Sequence, residues 1–173
     1  MIDKVFIIGM TGVGKSSVGK KIAMNVGIDF IDIDDYLNTN ILNKHKSDKK
    51  FRQIEHDELK KWSIINKKLI ISTGGGIIER LDNRNILKNF YCIHLEASIT
   101  ELLSRLQSSN KFRPLIQTKR GSNINIKSLE KLFNNRMKYY SEISSITINT
   151  DNINQSQIVE KIKNELIKNE FIN

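Results

Sequence analysis

Eight consecutive residues, Gly9-Met-Thr-Gly-Val-Gly-Lys-Ser16, have the composition and spacing of a loop that holds phosphate. Its glycines let the backbone curl until successive N–H groups point inward, and a helix opening at its end adds a partial positive charge. In the pattern Gly-x-x-x-x-Gly-Lys-Ser, Lys15 reaches the β- and γ-phosphates and the Ser16 hydroxyl ligates Mg²⁺. Gly9, Gly12, Val13, Gly14, Lys15, Ser16 and Ser17 are thus the expected contacts of a nucleoside triphosphate, with Mg²⁺ as its companion ion. The bland alternative is a glycine turn with an incidental Lys-Ser. The flanks argue against it, because a buried-strand run, Lys4-Val-Phe-Ile-Ile8, precedes the loop and a helical pattern follows it.

Four further features bear on what receives the phosphate. Asp32-Ile-Asp34 falls at the end of a second strand run, Phe30-Ile31 with Ile33, on the edge of a parallel sheet where ligands bind. Two residues apart on an extended chain, both carboxylates face one side. One can then serve metal-bound water while the other meets a substrate hydroxyl; a helix cap is the equal alternative. Arg52 and Glu55 stand three apart on a helix, where side chains are neighbours, although an ordinary surface ion pair is the plainer reading. Gly74-Gly-Gly76 follows a buried strand. A turn needs one or two glycines, so three imply that something approaches this backbone closely. Last come Arg113, in Phe112-Arg-Pro-Leu-Ile116, and Arg136 on the next helix. Arginine is rare beside lysine in this chain, so each guanidinium marks a place that wants a planar, two-pronged donor.

The elements that must position these residues alternate. After the first strand, Ser16–Asn25 has helical spacing, with Val18, Ile22 and Val26 inward. A helix is expected over 51–66 with Phe51, Ile54, Leu59, Trp62 and Ile65 as its inner set. Leu69–Thr73 reads as the third strand, Asp82–Lys88 as a short helix and Tyr91–Leu95 as the fourth strand. Ser98 with Glu101 forms a capping-box signal for a helix to Leu106. Ile126–Tyr140 is helical, Ser145–Ile148 is the fifth strand and Gln155–Ile167 the closing helix. Such alternation predicts a three-layer α/β/α domain over residues 1–173, with a five-stranded parallel sheet covered on both faces. The polar stretch 107–125 holds the only proline, Pro114, and reads as an active-site lid.

Bulk properties narrow the classes. With 173 residues, 39% hydrophobic and 27% charged, the chain has the make-up of one ordinary domain. No apolar run approaches the roughly 18 residues of a membrane span, and the start lacks a signal-peptide pattern, so a cytoplasmic protein is expected. The single cysteine, Cys92, excludes a disulfide framework. A net charge of +9 raises nucleic-acid binding, but the charge is spread along the chain with no basic arm. A solvated surface and anionic small-molecule substrates are the preferred explanation. His94, on a strand between Ile93 and Leu95, reads as structural. His45 and His56 lack spaced partners, Cys92 reads as a small core residue, and Trp62 as helix packing.

Taken in order, the phosphate loop, Asp-x-Asp, Phe-Arg-x-x-Glu, triple glycine, Arg-Pro-Leu and Arg136-x-x-x-Tyr140 resemble the shikimate kinases, small kinases of the P-loop and nucleoside-monophosphate-kinase-like fold. The resemblance runs from Gly9 to about Glu142. It implies transfer of the γ-phosphoryl of ATP to the 3-hydroxyl of shikimate, on the route to aromatic amino acids. It implies that Asp34, Arg52, Gly74, Gly75, Gly76 and Arg136 contact shikimate, with both arginines on its carboxylate and Glu55 holding Arg52. By the same resemblance Arg113 is the lid arginine that moves onto the transferring phosphoryl group, and Arg105 lies near adenine. Lys15, Asp34 and Arg113 would be catalytic, and Asp32 would join Ser16 at Mg²⁺ through water. The acceptor-binding segment is expected at about 33–62, in a monomer without nucleic-acid or membrane partners. Between Asp34 and Arg52 the chain is several residues shorter than the family pattern, with the polar Asn40–Lys50 in place of an apolar stretch. A kinase of another small polyol acid such as gluconate, or a weakened kinase fold kept for binding, remains as an alternative.

Overall fold

The structure, a computed structural model, describes residues 3–40, 49–109, 113, 115–119 and 122–172, with only the backbone of 38–40. His45, Phe112, Pro114, most of the polar 40–50 stretch and part of the expected lid lie outside the described residues.

Lys4–Gly9 forms β1, buried at every position, and Leu69–Ser72 forms β3, equally buried. Continuous apolar runs of this kind belong to strands covered on both faces, and both lie inside the sheet. With β2 (Asp29–Asp32), β4 (Tyr91–Glu96) and β5 (Ile146–Asn149) they form a five-stranded sheet in the order β2-β3-β1-β4-β5. Every pairing is parallel. The chain leaves β1 with strands on either side of it, so the loop after β1 opens at the switch point of the sheet, where such folds hold ligands.

The helices are α1 (Lys15–Val26), α2 (Ile33–Asn40), α3 (Lys49–Ile64), α4 (Leu81–Leu87), α5 (Ile99–Gln107), α6 (Ile126–Ile143) and α7 (Gln155–Lys168). Packing joins α1 to α7, and α4 to both α3 and α6, giving the helical layers over the sheet. Local chemistry fixes their ends. Gly14 starts α1 with φ 102°, and Gly27 ends it with φ 66°, a left-handed cap that costs glycine little. The Ser98 side chain accepts from the Glu101 N–H, the expected cap of α5. The reciprocal half of the box is replaced, because the Ser98 N–H donates to Asp151 and Glu101 pairs with Arg105. Asn154 and Gln157 complete a reciprocal capping box at α7.

Two expectations are corrected. Ile33 does not extend β2 but opens α2, because Asp32 Oδ1 accepts from the backbone N–H groups of Asp34 and Asp35 at 3.0 and 3.1 Å. That cap redirects the chain, and Ile33 and Leu37, one helical turn apart, are both buried. On α3 the buried set is Phe51, Glu55 and Leu59. Ile54 and Trp62 are half-buried against the core, and Ile65 lies beyond the helix. A carboxylate, not another apolar residue, fills the inner face.

Candidate active site

The loop between β1 and α1 has the backbone its glycines permit. Gly9, Gly12 and Gly14 all adopt positive φ, at 143°, 87° and 102°, which other residues reach only with strain. Lys15 is 8% exposed, and its Nζ donates to the carbonyls of Gly9 and Met10, both at 2.9 Å. The ammonium is thereby held at the mouth of its own loop. Val13 is buried, and its carbonyl accepts from Arg105 Nη1 at 3.2 Å. Arg105 is fixed further by Glu101 at 2.7 Å and by the hydroxyl and carbonyl of Thr150 at 3.0 and 2.8 Å. The arginine of α5 thus ties the phosphate loop to the segment after β5.

The triple glycine is laid between this loop and a charged cluster. Thr73 donates from both its backbone N–H and its Oγ1 to the Ile7 carbonyl, at 3.2 and 3.3 Å, which locks the end of β3 to β1. Tyr140 Oη donates to the Gly75 carbonyl at 2.5 Å. A Cβ at Gly76 would stand 2.4 Å from Arg52 Nη2, and one at Gly74 would stand 2.9 Å from Glu55 Oε1. At Gly75 it would lie 3.1 Å from the Thr11 nitrogen and 3.4 Å from Arg136 Nη1. The close approach anticipated for this backbone is made by the protein's own charged side chains.

Arg52 Nη1 pairs with Glu55 Oε2 at 2.6 Å. Glu55 is 1% exposed. Burial pushes its carboxyl above the ordinary 4.5, and the Arg52 charge pulls it partly back. Arg136, 2% exposed, donates from Nε and Nη2 to Glu79 Oε1 at 2.9 and 2.6 Å. Glu79 Oε2 also lies 3.1 Å from Arg52 Nη2. The two arginines therefore converge. Asp34 joins them from the first turn of α2, with its Oδ1 3.3 Å from the Cβ position of Gly74. It reaches the site through a helical turn, not along an extended strand. Arg113 is part-buried, with Nη2 on the Ser109 hydroxyl at 3.2 Å; burial lowers its pKa and the Asp34 carboxylate opposes that.

One cavity of about 410 Å³ takes in both halves. Of the residues anticipated from the sequence, Gly12, Gly14, Lys15, Ser16, Ser17, Asp34, Arg52, Gly74, Gly75, Gly76, Arg105, Arg113 and Arg136 line it. Gly9, Val13 and Asp32 do not. Thr11, Asp35, Thr73 and Leu132 line it unannounced. Glu79, which does not line the cavity but pairs with both arginines, was not anticipated from the sequence. Its signal was position: three residues after Gly76, the 3-10 turn Ile77–Glu79 brings the side chain back over the arginines.

The fit of Mg²⁺ can be judged from Asp32. One oxygen caps α2, while Oδ2 is buried without a hydrogen-bond partner among the described residues. Such an oxygen suits a metal-bound water. No three His, Cys, Asp or Glu side chains group as a metal cluster among the described residues. That agrees with an ion held mostly by phosphates and water, with one or two protein ligands. Ser16 and Asp32 fit that donor set.

His94 and Cys92 are structural, as anticipated. Cys92 is fully buried, and burial pushes its thiol to about 12. His94 stacks on Tyr140 with centroids 4.8 Å apart; burial, reinforced by the Lys15 charge, lowers its pKa from 6.5 to about 4. Between those values the unfolded chain binds the proton more readily than the folded one, so stability falls as the pH drops below 6.5. Moving from pH 7 to pH 5 is expected to cost about 2 kcal/mol through this group. In His94→Gln, urea unfolding at both pH values should show that difference largely removed.

A phosphate-holding loop at the sheet's switch point, facing paired guanidinium groups in one cavity, defines a small P-loop kinase. A family model described as shikimate kinase matches residues 11–167. A shikimate kinase of Sulfurihydrogenibium sp. strain YO3AOP1 is 31% identical over 169 residues, covering 93% of this chain and 96% of the relative. The solved structure of shikimate kinase from Acinetobacter baumannii in complex with shikimate is 26% identical. It superposes with a TM-score of 0.85 over 98% of this chain and 95% of that one. A gluconokinase from Sinorhizobium meliloti 1021 has a TM-score of 0.65 over 95% of this chain and 91% of its own, but at 15% identity it shares the fold alone. The chain belongs to the shikimate kinase family and is an ATP-dependent phosphotransferase.

Proposed function

We propose that this chain transfers the γ-phosphoryl group of ATP to the 3-hydroxyl of shikimate through the residues assembled around this cavity. The observation that carries the reading is the convergence of Arg52 and Arg136, both held in place by carboxylates, in the cavity that Lys15 also lines. Two forked donors of this kind suit a carboxylate, and a carboxylate is what shikimate offers beside its ring hydroxyls. Phosphoryl transfer asks a protein for alignment and charge neutralisation more than for covalent help. The backbone of Gly12, Val13 and Gly14, with Ser17, would cradle the phosphates, and Arg105 would face the adenine. Asp34 would orient the attacking hydroxyl and receive its proton as the new P–O bond forms and the bond to the leaving ADP breaks. Lys15 and Arg113 would spread the charge that develops on the transferring group. Ser16 directly, and Asp32 through water, would hold Mg²⁺, which would supply charge neutralisation at the phosphates.

The same reading takes the chain as one domain working as a monomer in the cytoplasm, without a nucleic-acid or membrane partner. In its support, the positive charge lies along the whole chain, and no described helix is long and apolar enough to cross a membrane. A binding module that has lost its chemistry would have no reason to keep Lys15, Ser16, Asp34 and Arg113 together in one cavity. The test is shikimate-dependent release of ADP by the wild type and by Arg113→Ala. The variant should lose about 10³-fold in kcat, the scale of a cationic group acting on the transition state, with the shikimate KM changed little. An unchanged kcat would remove Arg113 from the chemistry.

A further inference from the structure

Glu79 and Glu55 hold the same arginines but are placed for different work. Glu55 is 1% exposed and sits on the same helix as Arg52. Its removal to water would need the helix to open. Glu79 ends a 3-10 turn and its side chain is 39% exposed, so one rotamer change carries its carboxylate into solvent. Its two oxygens are divided between the two guanidinium groups: Oε1 accepts from Arg136 Nε and Nη2, and Oε2 lies 3.1 Å from Arg52 Nη2. A carboxylate that spans both forks in this way makes the contacts a ligand carboxylate would make. Both cannot use the same N–H groups at once, and two carboxylates side by side repel.

We propose that Glu79 is a built-in competitor for the acceptor's carboxylate: it holds Arg52 and Arg136 in register and is displaced when the acceptor binds. The residue thus sets acceptor affinity without touching the reacting atoms, and it is a positioning residue. This rests on the reading that the two arginines grip the acceptor carboxylate. The consequence is opposite in sign to that of a fixed orienting group. Removing Glu55 would loosen Arg52, whereas removing the Glu79 charge frees donors that the acceptor needs.

The test measures shikimate and ATP affinities and steady-state constants for the wild type, Glu79→Gln and Glu79→Ala, with thermal unfolding as the check on folding. In Glu79→Gln the Kd and KM for shikimate should fall about tenfold, equivalent to about 1.4 kcal/mol, with the ATP Kd unchanged. Glu79→Ala should move shikimate binding in the same direction. A rise in the shikimate Kd in Glu79→Gln would make Glu79 a fixed orienter like Glu55 and overturn the proposal; so would no change. Arg136→Lys, measured alongside, separates the two levels. If it leaves shikimate binding untouched, the carboxylate grip itself is wrong; if it weakens binding while Glu79→Gln does not strengthen it, only the competitor role fails.

Discussion

Lys15→Ala is expected to lower kcat about 10³-fold or more, with the fold intact. The side chain is 8% exposed and already placed by the carbonyls of Gly9 and Met10, each 2.9 Å from Nζ. A charge held in place before the reaction needs no reorganisation when the phosphoryl group moves. Loss of one such preorganised donor typically costs 10²–10³ in rate, and a full positive charge on the β- and γ-phosphates lies at the upper end. The structural cost is smaller. Two loop carbonyls lose a donor, and hydrogen bonds of this kind contribute on the order of 1 kcal/mol each. Thermal unfolding should therefore move by a few degrees while turnover collapses. A variant that kept a tenth of wild-type kcat would show that Lys15 does not act on the transferring group.

Arg136→Lys should raise the shikimate KM about 100-fold and leave the ATP KM near its wild-type value. Arg136 is 2% exposed and uses two donors on one edge of its guanidinium, Nε and Nη2, at 2.9 and 2.6 Å from one oxygen. Lysine keeps the charge but offers a single point on a flexible stem. It would meet a carboxylate through one bond in place of a fork. A 100-fold change corresponds to about 2.7 kcal/mol, within reach of a lost charge-assisted pair. Arg136 is linked to the donor half through the glycine loop, where a Cβ at Gly75 would lie 3.1 Å from the Thr11 nitrogen. An equal rise in both KM values would place Arg136 outside the acceptor half.

Much of this architecture was legible from residue order alone. The unbroken apolar runs of β1 and β3 are what central parallel strands require, and Ser98 with Glu101 announced the start of α5. The phosphate loop was legible because its glycines, lysine and serine act through local backbone geometry. Gly74–Gly76 signalled close contact, although the partners could come only from the fold: Arg52, Glu55 and Arg136 are distant in sequence. The failures share a cause. Phe30-Ile31 with Ile33 reads as a short apolar strand, yet the Asp32 carboxylate caps a helix, and the i, i+4 pair Ile33 and Leu37 then buries. That reading puts Ile33 on the strand, whereas it is the first residue of α2. On α3, the apolar pattern hid Glu55, whose burial is tolerated because Arg52 lies beside it. Glu79 carried no motif. Its role exists only because a short turn folds it onto two arginines from different helices.

The most direct test is ADP release from ATP and Mg²⁺ with shikimate, gluconate and a nucleoside monophosphate as rival acceptors. A phosphate loop facing Asp34, Arg52 and Arg136 should release ADP with shikimate and stay at the background rate of ATP hydrolysis with the other two. Turnover with gluconate or the monophosphate in preference to shikimate, or ATP binding with no turnover on any of the three, would contradict it.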